Sequence, residues 1–210
     1  MRVYDCSVAL KEGVVVYPGD PPFHAEWLDD GVAGGGGRLR RLSMSTHTGT
    51  HVDAPAHVFP GGRTLDQFPL GVWLGQVRIA AVPSKCHVTA EDLRRVDLEG
   101  CTRVFIKTSN SLLWDAHVRF FVKDYVYLAP DAARYLADLG LVLLGFDYLS
   151  VDKFGDQSLP AHKIVLGQGI PIVEALNLAA VTPGDYEVVC APLLLAEAEA
   201  SPARVFLLEE

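Results

Sequence analysis

His47-Thr48-Gly49-Thr50-His51-Val52-Asp53-Ala54-Pro55-Ala56-His57 places three histidines and one aspartate within eleven residues, at spacings of four, two and four. Imidazole nitrogens and a carboxylate converging on one point are what a transition-metal ion requires. The stretch does not read as a helix. Thr46, Thr48, Thr50 and Val52 are β-branched, Gly49 sits mid-segment, and Pro55 lacks the amide a helix needs. In an extended chain, positions 47, 51, 53 and 57 share one parity and face one side. An ideal strand would still separate His47 from His51 by roughly 13 Å, too far for one ion. The chain must therefore bend between them, and Gly49 is the residue best able to turn it. The competing reading is an edge strand with polar residues facing water; four ligand-type side chains around one glycine speak against it.

Working outward, Arg38–Thr46 reads as a strand leading into this segment, and Val3–Val8 as an opening strand. The Gly34–Gly37 run is read as a flexible loop that moves over the site. It is not read as a phosphate loop, since no helix or Lys-Ser/Thr pair follows it. Gln76–Val82 and Arg103–Thr108 are strand-like, and Thr89 with Asp92 forms a capping box for a short helix to about Val96. A helix runs from Pro130 to a glycine stop at Gly140, and Leu141–Asp147 is a buried strand. A short helix opening at Ser158 or Pro160 carries His162 and ends at Gly167 or Gly169. Ile170–Leu176 is a strand carrying Glu174, and strands at Glu187–Leu195 and Ala203–Leu208 close the sheet. The expected fold is α/β: a single domain, residues 1–210, with a mixed, partly barrel-like sheet flanked by a few helices.

With 210 residues and 50% hydrophobic content, one sizeable core suffices. A net charge of −8 with no basic stripe argues against nucleic acid or an anionic membrane as partner. The longest apolar runs, Leu141–Phe146 and Ala191–Ala196, are too short to span a bilayer, and Met1–Cys6 shows no apolar signal core; cytoplasm is the expected location. Cys6, Cys86, Cys101 and Cys190 form no Cys-x-x-Cys pair and are read as reduced. His24, His87 and His117 are read as ordinary surface or core histidines. Phe23, Phe59, Phe68, Trp73 and Trp114 are read as core packing before pocket lining. Taken alone, His162 reads as an ordinary hydrogen-bonded histidine. Glu174 is either a buried carboxylate needing a cation or an exposed residue on an alternating strand.

The pattern His-x-Gly-Thr-His-x-Asp-x-Pro-x-His resembles the signature of the metal-dependent cyclase family, which includes the bacterial kynurenine formamidases and isatin hydrolases. Tyr17-Pro18-Gly19-Asp20, Thr108-Ser109-Asn110-Ser111 with Trp114, and Asp147 through Asp152 extend the likeness. So do His162, Gly169 through Glu174, and Gly184-Asp185-Tyr186-Glu187. The resemblance implies a swivelling β/β/α fold. It also implies two divalent ions: His47 and His51 on the first, His162 on the second, and Asp53 and Glu174 bridging both. Histidine with carboxylate suits zinc, manganese, iron or cobalt, with zinc favoured and manganese second. His57 would stay unligated as the acid/base, and a homodimer is implied. Tyr17 stands where the formamidases carry a tryptophan against the aromatic substrate, and Leu159-Pro160-Ala161-His162 departs from their Leu-Asp-Ser-His context.

The implied activity is hydrolysis of a small amide. The best single expectation is arylformamidase cleavage of N-formyl-L-kynurenine to L-kynurenine and formate by attack of metal-bound hydroxide. The alternatives are hydrolysis of a cyclic amide or lactone, as in the isatin hydrolases, and a non-catalytic metal-binding protein. No Gly-x-Ser-x-Gly elbow supports a serine hydrolase.

Overall fold

Strand alternation explains the architecture. In a computed structural model that describes residues 1–31, 37–115 and 119–209, the elements run β1 (Arg2–Asp5), β2 (His24–Asp29), β3 (Leu39–Ser43), β4 (His51–Asp53), β5 (Leu74–Ala81) and β6 (His87–Val88). There follow α1 (Ala90–Leu93), β7 (Arg103–Lys107), α2 (Ser111–Asp115), β8 (Tyr127–Leu128), α3 (Pro130–Asp138), β9 (Leu143–Phe146), α4 (Pro160–Gly167), β10 (Ile172–Glu174), β11 (Gly184–Pro192) and β12 (Ala200–Glu209). The main sheet has the order β1-β12-β11-β5-β7-β9-β10-β4, and β4 also pairs with β12. Among the described residues, seven strands therefore close into a barrel, with β1 continuing along the free part of β12. Its β5, β7, β9 and β10 are parallel; the remaining pairings are antiparallel.

One face of each strand fills the barrel. Val77, Ile79, Phe105, Leu143, Val173, Val188 and Val205 point into it, together with Val52. The opposite parity, Ala80, Val104, Ile106, Leu144, Phe146 and Ile172, packs beneath the helices against Leu93, Leu136, Val165 and Leu166. A helix of eight residues such as α4 is marginal in isolation. Burial of Ala161, Val165 and Leu166 against the barrel holds it in place.

Most expected elements appear, with shifted ends. The opening strand stops at Asp5 rather than Val8, because β4 takes over that edge of β12 and the Val8 amide turns to Thr50 Oγ1 instead (2.8 Å). The Thr89–Asp92 capping box is present, but its helix ends at Leu93. Strand β2 was not expected; its residues are exposed, so no buried alternation marks it in the sequence. The four cysteines are free, with Cys6 and Cys190 buried. His117 and the expected loop at Gly34–Gly37, apart from Gly37, lie outside the described residues.

Candidate metal centre

Within the histidine-rich segment only His51–Asp53 is a strand, so shared parity accounts for His51 and Asp53 and not for the outer two histidines. His47 is delivered by the turn before β4, where Gly49 has φ +67° and an added Cβ would lie 2.6 Å from Leu10 Cδ2. His57 is delivered by a 3-10 turn, Pro55–His57. That turn is packed so closely by Gly62 that a Cβ there would lie 2.7 Å from the Pro55 carbonyl carbon.

Barrel register supplies the next candidate donor. Val52 pairs with Val173, both facing inward, so the flanking His51, Asp53 and Glu174 face outward, with His51 directly opposite Glu174. Helix α4 crosses this outer face and inserts His162. The result is compact. His51 Nε2 lies 3.4 Å from Asp53 Oδ1 and 3.5 Å from Glu174 Oε2. His162 Nε2 lies 3.4 Å from Asp53 Oδ2 and 3.2 Å from Glu174 Oε1. His47 Nδ1 lies 2.9 Å from Asp53 Oδ1, and the His47 and His57 ring centroids are 4.4 Å apart.

These residues fit a cation. Asp53 is fully buried, yet its two oxygens, like His51 Nε2, make no aligned hydrogen bond and face only one another and the neighbouring imidazoles and Glu174. Unpartnered buried polar atoms cost about 1–3 kcal/mol each, and more when charged. Of the four such atoms among the described residues, three point into this one spot. Two trios bring ligand atoms within 4.8 Å of one another: His47, Asp53 and His57, and His51, Asp53 and Glu174. Asp53 belongs to both. The first trio also puts His57 within liganding reach.

Several of the side chains are aimed from behind. His51 Nδ1 lies 2.9 Å from the Gly49 carbonyl oxygen, which leaves Nε2 for the centre. Glu174 Oε1 accepts from the Val151 amide (2.7 Å), and Asp152 accepts from the backbone amides of Ala161 and His162 (2.7 and 3.1 Å). Glu199, held by Thr46 Oγ1 at 2.6 Å, comes within 3.6 Å of His47 Nε2. Sequence reasoning assigned no role to Asp152 or Glu199. Asp152 was visible only as part of the 147–152 match, and Glu199 sits in an alanine-glutamate stretch that carries no signal. Asp147, from the same match, is a buried latch: it accepts from the amide and hydroxyl of both Thr108 and Ser111, tying the end of β7 to the end of β9.

A cavity of about 260 Å³ opens onto the centre, with His47, His51, His57, His162 and Glu174 on its floor and wall. Tyr17 lines its mouth, its ring 5.2 Å from Phe121 and 5.9 Å from Phe154. Asp20, Leu149, Ser150, Gly155, Asp156, Gln157 and Leu159 complete the walls; these were not anticipated. Phe23, Phe68 and Trp73 are core residues, and neither Phe59 nor Trp114 lines the cavity.

Without a metal, the buried carboxylates draw protons onto the imidazoles. Burial opposes the charge on His51, but Asp53 and Glu174 outweigh it and raise its pKa to about 9. His162 is likewise raised, against burial, by Glu174 and Asp152. Glu174 is lowered to about 2 by His162 and His51, despite its burial. A raised histidine pKa gives stability that is complete below the unfolded value near 6.5 and lost as pH rises through the folded value. The metal-free protein should therefore lose several degrees of Tm between about pH 6.5 and pH 9, since one pKa unit corresponds to about 1.4 kcal/mol. The zinc-loaded protein should not, because the ion replaces those protons. Parallel melting curves check this; equal slopes in the two forms would refute it.

A family model described as "Putative cyclase" matches residues 4–153. The kynurenine formamidase of Geobacillus thermodenitrificans is 36% identical over 203 residues, covering 97% of this chain and 95% of that one. A solved structure described as a potential metal-dependent hydrolase with cyclase activity has a TM-score of 0.85 at 33% identity, covering 98% of this chain and 96% of its own. Isatin hydrolase A from Labrenzia aggregata has a TM-score of 0.83, covering 100% and 94%; at 22% identity, that likeness is one of fold.

Proposed function

The chain belongs to this cyclase family, and from that premise we propose that it is a metal-dependent amidohydrolase acting on an aryl formamide, with N-formyl-L-kynurenine as substrate. The observation that carries the reading is Asp53: a buried carboxylate whose two oxygens make no aligned hydrogen bond, shared by two ligand trios whose histidines and Glu174 line an open cavity. We assign His47, His51, Asp53, His162 and Glu174 as the residues that hold two divalent ions. The imidazole and carboxylate donors favour zinc, with manganese second. Bound there, the metal supplies Lewis acidity, lowering the pKa of a water and polarising the formyl carbonyl.

The protein's own groups do the rest. His57 lies beside His47 and His162 with ring centroids 4.4 and 5.4 Å away, and burial pushes its imidazole below the usual range, so it is neutral at pH 7. A neutral imidazole accepts a proton from the attacking water and passes it to the departing nitrogen. A hydroxyl adds to the formyl carbon, the C–N bond breaks, and formate and a free aryl amine leave. Tyr17, braced by Phe121 and Phe154, offers a ring face or edge to the aromatic substrate.

A cyclic amide is the second reading, favoured by the fold shared with isatin hydrolase A. None of the described helices is long and apolar enough to cross a membrane. A cytoplasmic homodimer is the setting we propose, with no nucleic-acid partner.

The decisive assay is hydrolysis of N-formylkynurenine by zinc- and manganese-loaded protein, with isatin alongside. Formamide turnover that chelation abolishes and metal restores supports the reading. Isatin turnover without formamide turnover moves the assignment to cyclic amides. Bound metal with neither activity overturns hydrolysis of these classes.

A further inference from the structure

The segment Leu149–Asp152 leaves β9 and runs behind the metal centre, and its last residue has an arrangement that helix geometry alone does not require. Asp152 is 1% exposed. Its Oδ1 accepts from the Ala161 amide (2.7 Å), and its Oδ2 accepts from the His162 amide (3.1 Å) and sits 2.7 Å from His162 Nδ1. The residue preceding α4, Leu159, is in the left-handed region (φ 47°) and supplies no side-chain cap, so Asp152, in the loop after β9, reaches across to satisfy those amides. Asp152 is itself held: its amide donates to Ser150 Oγ, and its carbonyl accepts the Tyr125 hydroxyl.

We propose that Asp152 is the positioning residue of the centre: it locks the His162 imidazole as the Nδ1–H tautomer, presents Nε2 to the metal, and sets the affinity of the ion that His162 holds. The inference rests on the metal reading above. Three facts carry it. An N-terminal cap needs backbone amides alone, yet the same oxygen that takes the His162 amide also takes the ring nitrogen, fixing main chain and side chain together. The acceptor is a buried carboxylate, whereas His51 is oriented by a neutral carbonyl; a charged acceptor raises the basicity of the opposite nitrogen more. Finally, the neighbouring Val151 amide holds Glu174, so two adjacent residues aim two separate ligands.

The test is zinc affinity, measured by competition with a chromophoric chelator, for the wild type, Asp152→Asn, His162→Ala and the double variant. Loss of the orienting partner should weaken zinc binding about 10–100-fold in Asp152→Asn. In the His162→Ala background, Asp152→Asn should add no further loss. Unchanged affinity in Asp152→Asn, with only Tm reduced, would make Asp152 a helix cap and overturn the proposal. So would an equal further loss in the double variant. A second readout needs no variant: long-range proton–nitrogen spectra of the zinc-loaded wild type should show His162 protonated at Nδ1, and protonation at Nε2 overturns the proposal. A wild type that binds neither zinc nor manganese removes the metal reading itself, an outcome distinct from the others.

Discussion

Asp53→Asn should leave a protein without tightly bound metal and with hydrolysis at background, a loss of roughly 10⁴-fold or more, because water then reverts from a pKa of about 7 toward 15.7. The geometry explains why this single atom exchange outweighs any other. Asp53 is the member common to both ligand trios, and its two oxygens face different histidines: Oδ1 toward His47 and His51, Oδ2 toward His162. An amide keeps the shape but offers one neutral oxygen and turns an N–H₂ toward imidazoles. The metal-free fold should suffer too. Opposing its own burial, His47, His51 and His162 hold Asp53 well below the usual carboxylate range. Removing one partner from such a cluster costs on the order of 3–5 kcal/mol. Metal content by mass spectrometry, read beside turnover and melting, checks the prediction. Full metal content with activity within tenfold of wild type would mean that the centre is not organised around Asp53.

His57→Ala should act differently: kcat falls about 10²–10⁴-fold, the usual worth of general acid–base catalysis, while the metal content stays unchanged. The alternative is specific, because His57 lies within liganding reach of His47 and Asp53. If His57 is a ligand, its removal lowers metal content. Substrate choice sharpens the comparison. An aryl formate ester releases an oxygen leaving group that needs little protonation, so the variant should lose far less on the ester than on the formamide. Equal losses on both, with metal retained, would remove His57 from the proton path.

The candidate metal-binding cluster was legible in the sequence because its donors are chemically distinctive and close together. Four lie in eleven residues around one glycine, and the turn at Gly49 followed from strand length alone. His162 and Glu174 were not legible by themselves. Their meaning arises from β10 pairing with β4 and from α4 crossing outside the barrel, contacts made more than a hundred residues along the chain. The strands of the barrel were readable because β-branched and apolar runs announce burial. Strand β2 was not, since its exposed residues carry no period. The partners behind the ligands, Asp152 and Glu199, are ordinary acids in sequence; only packing distinguishes them. The pocket walls at Asp20, Asp156 and Gln157 come from loops, whose paths local propensity does not determine.

The position of β4 carries a consequence for how the protein comes into being. Three residues, His51–Asp53, close the ring by joining β10 on one side and β12, at Ala200–Pro202, on the other. During synthesis His51 and Asp53 emerge early, but the strand that holds them has no neighbour until about 120 more residues have been made, and no second neighbour until nearly 150 have. Contacts between such distant segments form late and slowly. The donors on His51 and Asp53 can therefore meet Glu174 only after β10 has been made and be locked by β12 later still, so the candidate centre is among the last parts of the fold to assemble.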